Sequence, residues 1–234
     1  GFKNYINDMK ELKSGTIAIG GTNLFASYVL PPLLSRFTEQ YPQVQVNLVE
    51  ATTSQLTDRL FSGSLDLLID NKSMDPAIYQ KSFFCEEHLL LAVPIRLSVN
   101  EKMKNYALTA SDIRENRHLN SRIPPVPLEN FQEESFLLLK SGNDTRTRAD
   151  RICHNAHVIP KIKLELDQQI TAYNLSRYGM GISFCSDTLV RHVPDAGGLV
   201  YYKLNHQDAL RDVNFYYKRN RYMPRIVSTF LDMI

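Results

Sequence analysis

Leu60-Phe61-Ser62-Gly63-Ser64-Leu65-Asp66-Leu67-Leu68-Ile69-Asp70 joins an apolar helix face to a buried strand through one glycine. Leu56, Leu60 and Phe61 recur at helical spacing, Gly63 suits a helix end, and Leu65 to Asp70 has the length and composition of a strand. Just upstream, Thr52-Thr53-Ser54 supplies N-cap chemistry, and Val44, Val46 and Leu48 alternate with Gln45 and Asn47 in another strand. Further back, Thr16-Ile17-Ala18-Ile19 is a short apolar strand ended by Gly20-Gly21. Val29, Leu33, Leu34 and Phe37 then share one face of a helix whose regular part follows Pro31-Pro32 and stops at Pro42. Strand, helix, strand, helix, strand with short links specifies a parallel α/β sheet with right-handed crossovers.

Residues 1–14 read as the end of a helix, with Tyr5, Met9 and Leu12 at three- and four-residue spacing and Gly15 to terminate it. On the other side of the deciding stretch, Phe83 to Val93 is a long strand-like run, and Thr109 with Asp112 three residues later starts a helix that Leu108 staples. A second α/β series follows: strands at Phe136–Leu139, Ile162–Leu166 and Ile182–Cys185, helices over residues 145–155 and 168–178. Ser186–His192 reads as a short helix, Leu199–Leu204 and Val213–Lys218 as β-rich, and Met223–Ile234 as an amphipathic helix. Repetition of the series points to a second lobe.

The chain has 234 residues, 27 Lys and Arg against 25 Asp and Glu, and a net charge of +2. Phosphate binding needs clustered, uncompensated basic residues, so the balance argues against DNA contact by this segment itself. Cys85, Cys153 and Cys185 are odd in number and widely spaced, which suits a reducing compartment. No basic-then-apolar leader opens the chain and no run of about 18 apolar residues interrupts it, so neither secretion nor membrane insertion is signalled.

Chemical motifs are weak. Gly20-Gly21 lacks the third glycine of a dinucleotide turn, and Gly179-Met180-Gly181 follows a helix instead of preceding one, as a helix end does. Cys153, His154 and His157 have no further ligand pair, so Cys153 reads as core and both histidines as solvated. Cys85 and His88, three apart on a strand, point to opposite faces. Nothing singles out an acid–base pair, and no catalytic residue, cofactor or metal is expected. What recurs is small polar residues at strand-to-helix junctions: Thr22-Asn23, Thr52-Thr53-Ser54, Asn143-Asp144-Thr145 and Asp167-Gln168. Open α/β sheets bind ligands beyond the carboxyl ends of their strands, where helix N-termini favour anions; each such residue also suits the simpler task of capping its own helix.

The run Gly15-Thr16-Ile17-Ala18-Ile19-Gly20, then Leu30-Pro31-x-Leu33-Leu34-x-x-Phe37, Tyr41-Pro42-x-Val44 and Leu60-x-x-Gly63-x-Leu65-Asp66-Leu67-x-Ile69, resembles the effector-binding domain of LysR-type transcriptional regulators. Arg177-x-Gly179-x-Gly181-Ile182 resembles that family's second-lobe step. The resemblance implies an α/β fold of two Rossmann-like lobes joined by two crossover strands, like a periplasmic binding protein of type II. Lobe I would hold residues 15–93 and 205–234, lobe II 94–204, and residues 1–14 the end of a linker helix, with crossings near Ala92–Leu97 and Tyr201–Asn205. It also implies a cytoplasmic ligand-sensing domain, not an enzyme, that controls a DNA-bound oligomer through a winged helix-turn-helix outside this sequence.

By position, the implied effector contacts in the interlobe cleft are Gly21, Thr22, Asn23, Thr52, Thr53, Ser54, Asn143, Asp144, Thr145, Asp167, Gln168 and Phe184. Asp144 and Asp167 would favour a cationic, zwitterionic or neutral small molecule, with Arg146 offsetting one of them. A homodimer or tetramer would form through the Leu33–Gln40 and Thr145–Asn155 helices, with no membrane partner. The alternative is an extracytoplasmic solute-binding protein of the same fold; an enzyme reading lacks any supporting constellation.

Overall fold

In the computed structural model, which describes residues 1–3, 6, 12 and 14–234, contacts divide the chain into two compact units, Gly1–Cys85 with Asp212–Ile234 and Glu86–Arg211. The helix expected over residues 1–14 lies largely outside the described residues.

The first unit begins with β1 (Thr16–Gly21), whose Ile17 and Ile19 are fully buried. A π-helical turn at Phe25–Val29 leads into α1 (Leu30–Gln40), which carries Pro31 and Pro32 in its first turn, where their missing N–H groups cost no hydrogen bond. β2 (Gln45–Glu50), α2 (Thr53–Ser62) and β3 (Leu67–Asp70) follow in the expected order. Gly63 ends α2 with φ of 87°, a left-handed conformation that glycine adopts without steric cost. β1 lies between β2 and β3, parallel to both, as the crossovers require. Asp66, just before β3, accepts the Ala18 N–H at 2.8 Å and so fixes the approach of β3 to β1.

β4 (Tyr79–Pro94) starts in the first unit and continues through the second. In the second unit come α3 (Ala110–Arg114), β5 (Ser135–Leu139), α4 (Asp144–Asn155), β6 (Lys161–Leu166), α5 (Gln169–Arg177), β7 (Ser183–Ser186), α6 (Asp187–His192) and β8 (Leu199–Lys203). The capping box expected at Thr109 and Asp112 forms, with reciprocal bonds of 2.8 and 3.0 Å, and Leu108 is buried. β5 and β6 pair in parallel, whereas β7 and β8 both run antiparallel to β4. Gly179, at φ 84°, closes α5 with backbone bonds from Gly179 to Ser176 and from Met180 to Leu175, the helix end expected of Gly179-Met180-Gly181.

The chain returns through β9 (Leu210–Lys218) and ends in α7 (Arg225–Met233). β9 pairs antiparallel with β3, so the sheet of the first unit is mixed and not wholly parallel. The chain changes unit at Cys85–Glu86 and at Arg211–Asp212, several residues outside the crossings expected over 92–97 and 201–205. β4 runs unbroken through its boundary, so hydrophobic patterning carries no mark of it.

One expectation is corrected by packing. Phe37 shares the helical face of Leu33, but it is fully buried against Phe230 and Tyr41, with ring centroids 5.3 Å away in each case. It belongs to the core of the first unit and is no surface for a second copy. Phe37→Ala removes this ring from a close-packed core and is expected to cost about 3–5 kcal/mol, read from urea unfolding.

Candidate functional site

Three parallel strands of the first unit, β1, β2 and β3, end side by side, with Gly21 opposite Glu50 in register. Beyond those ends the structure gathers the first two groups of residues expected at the site. Gly21 is packed so closely that a Cβ there would meet Phe25 and Ile69 at 3.1 and 3.2 Å, which holds the following turn tight against β3. Thr22 contributes its carbonyl to the π-helical turn, accepting Ala26 N–H at 2.9 Å. Asn23 donates to Glu50 at 3.0 Å, joining the ends of β1 and β2.

Thr52 caps α2 reciprocally with Gln55, in bonds of 3.3 and 3.1 Å, so for this residue the simpler capping role is the one observed. Thr53 donates its hydroxyl to Asp70 at 2.9 Å, and Asp70 also accepts the Lys72 N–H at 2.9 Å. Asp70 is buried at the end of β3 and anchors the start of α2, a role sequence reading missed because the partners are far apart in the chain. Among the described residues the hydroxyls of Thr22 and Ser54 have no intramolecular partner, and neither residue is buried.

In the second unit Asn143 caps α4, accepting from the N–H groups of Thr145 at 2.8 Å and Arg146 at 3.4 Å. Asp144 accepts from Arg148 at 2.8 Å and from Arg211 at 3.1 Å, and Thr145 accepts from Arg211 at 2.9 Å. The offset expected from Arg146 is not what occurs: Arg146 bonds Asp150 and Glu165, pointing its charge the other way along the helix. Arg211 is itself buried and pairs with fully buried Glu87 at 2.5 Å, whose other oxygen accepts from Thr188 at 2.6 Å. Asp144 is thus neutralised by two guanidinium groups and brings no free negative charge.

Asp167 is exposed and paired with Lys140 at 3.2 Å, beside Gln168, which precedes α5 without capping it by its side chain. It is the next residue, Gln169, that reaches inward, accepting from the N–H and hydroxyl of Ser186 at 3.1 and 2.9 Å. Phe184 stands apart from the group: it is buried in the core of the second unit, stacked on Phe136 with centroids 6.2 Å apart. On β7 its side chain faces inward, so its expected contact with a ligand gives way to packing.

The family model described as "LysR substrate binding domain" matches residues 10–234. The chain belongs to that family. The "Uncharacterized HTH-type transcriptional regulator YcgK" of Bacillus subtilis is similar at 25% identity over 231 residues, covering 97% of this chain and 69% of its own length. Among solved structures, the Synechocystis PCC6803 CcmR regulatory domain in complex with 2-PG superposes with a TM-score of 0.75 at 19% identity, covering 93% of this chain and 94% of its own. The BenM effector binding domain with its effector benzoate gives a TM-score of 0.66 at 21% identity, covering 93% and 90%. This LysR domain therefore has the periplasmic-binding-protein-like α/β fold. No helix among its described residues is long and apolar enough to cross a membrane.

Of the three thiols of the LysR domain, Cys153 and Cys185 are buried and Cys85 is half-buried. Burial pushes the Cys153 thiol up to about 12, with nearby Asp150 adding to the shift, and burial raises Cys185 as well. His154 and His157 are exposed, as expected of solvated side chains. His88, however, is not alone on its strand. Its imidazole lies 3.1 Å from Asp187, which also takes His118 at 2.9 Å.

The buried pair at Arg211 generates a stability prediction. Arg211→Met removes the guanidinium that faces buried Glu87, and is expected to cost about 3–5 kcal/mol in urea unfolding. Adding Glu87→Leu restores much of that loss, and a double-mutant cycle measures the coupling.

Proposed function

We propose that this LysR domain senses a small organic carboxylate and passes its occupancy to a DNA-binding segment of a cytoplasmic transcriptional regulator. The observation that carries the reading is the convergence of Gly21, Thr22, Asn23, Thr53 and Ser54 beyond the carboxyl ends of three parallel strands, with two hydroxyls uncommitted. Benzoate, the effector named for the BenM domain, is a carboxylate. The neutralisation of Asp144 by Arg148 and Arg211 removes the main reason to expect a cation.

A ligand shifts a regulator only through different affinities for its two arrangements, so the readout is an oligomer on DNA and not turnover. We assign pairing between copies to the outer face of α1, with Arg36 and Glu39 exposed, against that of α4, with Arg151 and His154 exposed. Arg36→Glu then lowers the sedimenting mass at micromolar protein while leaving the melting temperature in place.

A thermal-shift screen of small carboxylates, each beside its neutral amide, tests the effector class. A saturating carboxylate raises stability by about 2.7 kcal/mol at 100 times its dissociation constant, and its amide does not. Thr22→Val and Ser54→Ala each weaken the hit by about tenfold, the worth of one hydrogen bond to a charged group. Unchanged affinity in both variants removes the assignment of these residues.

A further inference from the structure

His88, His118 and Asp187 come from three separate elements of the second unit. His88 is on β4, His118 is on a 3₁₀ turn at Arg117–Leu119, and Asp187 is the first residue of α6. Each offers one ligand atom, an imidazole nitrogen or a carboxylate oxygen, and the three lie within 4.8 Å of one another. The shared carboxylate oxygen is 3.1 Å from His88 Nδ1 and 2.9 Å from His118 Nε2.

We infer that these three side chains form a binding site for one divalent transition-metal ion, of the class of zinc, within the second unit. Two imidazole nitrogens and one carboxylate oxygen suit such ions, whereas calcium and magnesium favour sets made of oxygen alone. The floor of the site is dry, with the His118 and Asp187 side chains 1% and 3% exposed, and the His88 side chain, 30% exposed, gives a way in.

The surroundings hold the ligands in place. Asp187 Oδ1 accepts the backbone N–H of His88 at 2.8 Å, which fixes the carboxylate and turns Oδ2 towards both rings. Glu86 stands 3.8 Å from the far nitrogen of His88, the place where a carboxylate orients a ligating imidazole. Asn116, at φ 63°, makes the tight bend that sends His118 inward. The far nitrogen of His118 is buried with no partner among the described residues, so the ring's one polar contact is at Asp187. A histidine that served packing alone would be better replaced by an apolar ring.

Arg191, one turn along α6, places its guanidinium 3.6 Å from the same carboxylate oxygen, with its side chain 29% exposed. A bound ion takes over that positive charge, and Arg191 has room to swing into solvent. This site is independent of the effector reading, since none of its residues belongs to the contact set above.

The test uses the full chain, stripped with a chelator, and zinc ion as the probe. Calorimetric titration gives one ion per chain at micromolar or lower dissociation constant, and zinc raises the melting temperature where magnesium at the same concentration does not. His88→Ala, a change at the exposed rim, abolishes the shift with an unchanged circular dichroism spectrum. His154→Ala with His157→Ala leaves it intact. Arg191→Ala, which removes the competing cation, tightens zinc several-fold and keeps the inference testable should His88→Ala fold poorly. Absence of zinc binding to the parent chain overturns it, and so does binding that survives His88→Ala or is indifferent to Arg191→Ala.

Discussion

The ion pair between Glu87 and Arg211 closes the second unit on itself. Glu87 is the second residue of that unit and Arg211 the last, so one buried contact of 2.5 Å joins the two ends of a segment 86–211 long in sequence. Closing so long a loop is opposed by chain entropy, and the contact persists because each charge is satisfied more than once. Glu87 also accepts from Thr188, and Arg211 also donates to Asp144 and Thr145. The middle of β4 and the start of α4 are thereby held to one guanidinium, and the start of α6 is tied to the same cluster through Glu87. Charges buried in this way add little net stability over a well-packed apolar set, but they allow a single arrangement, because any other leaves a charge bare.

That arrangement explains why the residues at the head of α4 behave differently from their appearance in the chain. Asp144 looks like an acid offered to a ligand, and in the folded unit it is a counter-ion to Arg148 and Arg211. Thr145 looks like a free hydroxyl and is engaged by the same arginine. In the first unit the equivalent anchoring falls to Asp70, which fixes Thr53 and leaves Thr22 and Ser54 for other partners. The two units thus solve the same problem, holding a helix start at the end of a strand, with different chemistry.

A second buried acid, Asp187, lies beside this cluster. Asp187 gathers two imidazoles and sits at the N-terminal end of α6, next to Thr188, which binds Glu87. Consecutive residues of β4, Glu87 and His88, therefore meet consecutive residues of α6, Thr188 and Asp187. An ion held by the two histidines and Asp187 would bear on the same helix as the ion pair that closes the unit.

Local physics made much of this legible. Strand and helix spans, the cap at Thr52, the capping box at Thr109 and the glycine ends at Gly63 and Gly179 depend on residues within a few positions of one another, and the sequence by itself determined them. The family motifs in the first unit did the same for the fold. Partners distant in the chain were decided only by tertiary structure: Thr53 with Asp70, Arg211 with Glu87, and His88 with His118 and Asp187, the last two 69 residues apart. Phe37 and Phe184 show the same limit from the apolar side. Periodicity states that a side chain has a face to bury, and the identity of what covers it follows from which elements the completed fold brings against that face.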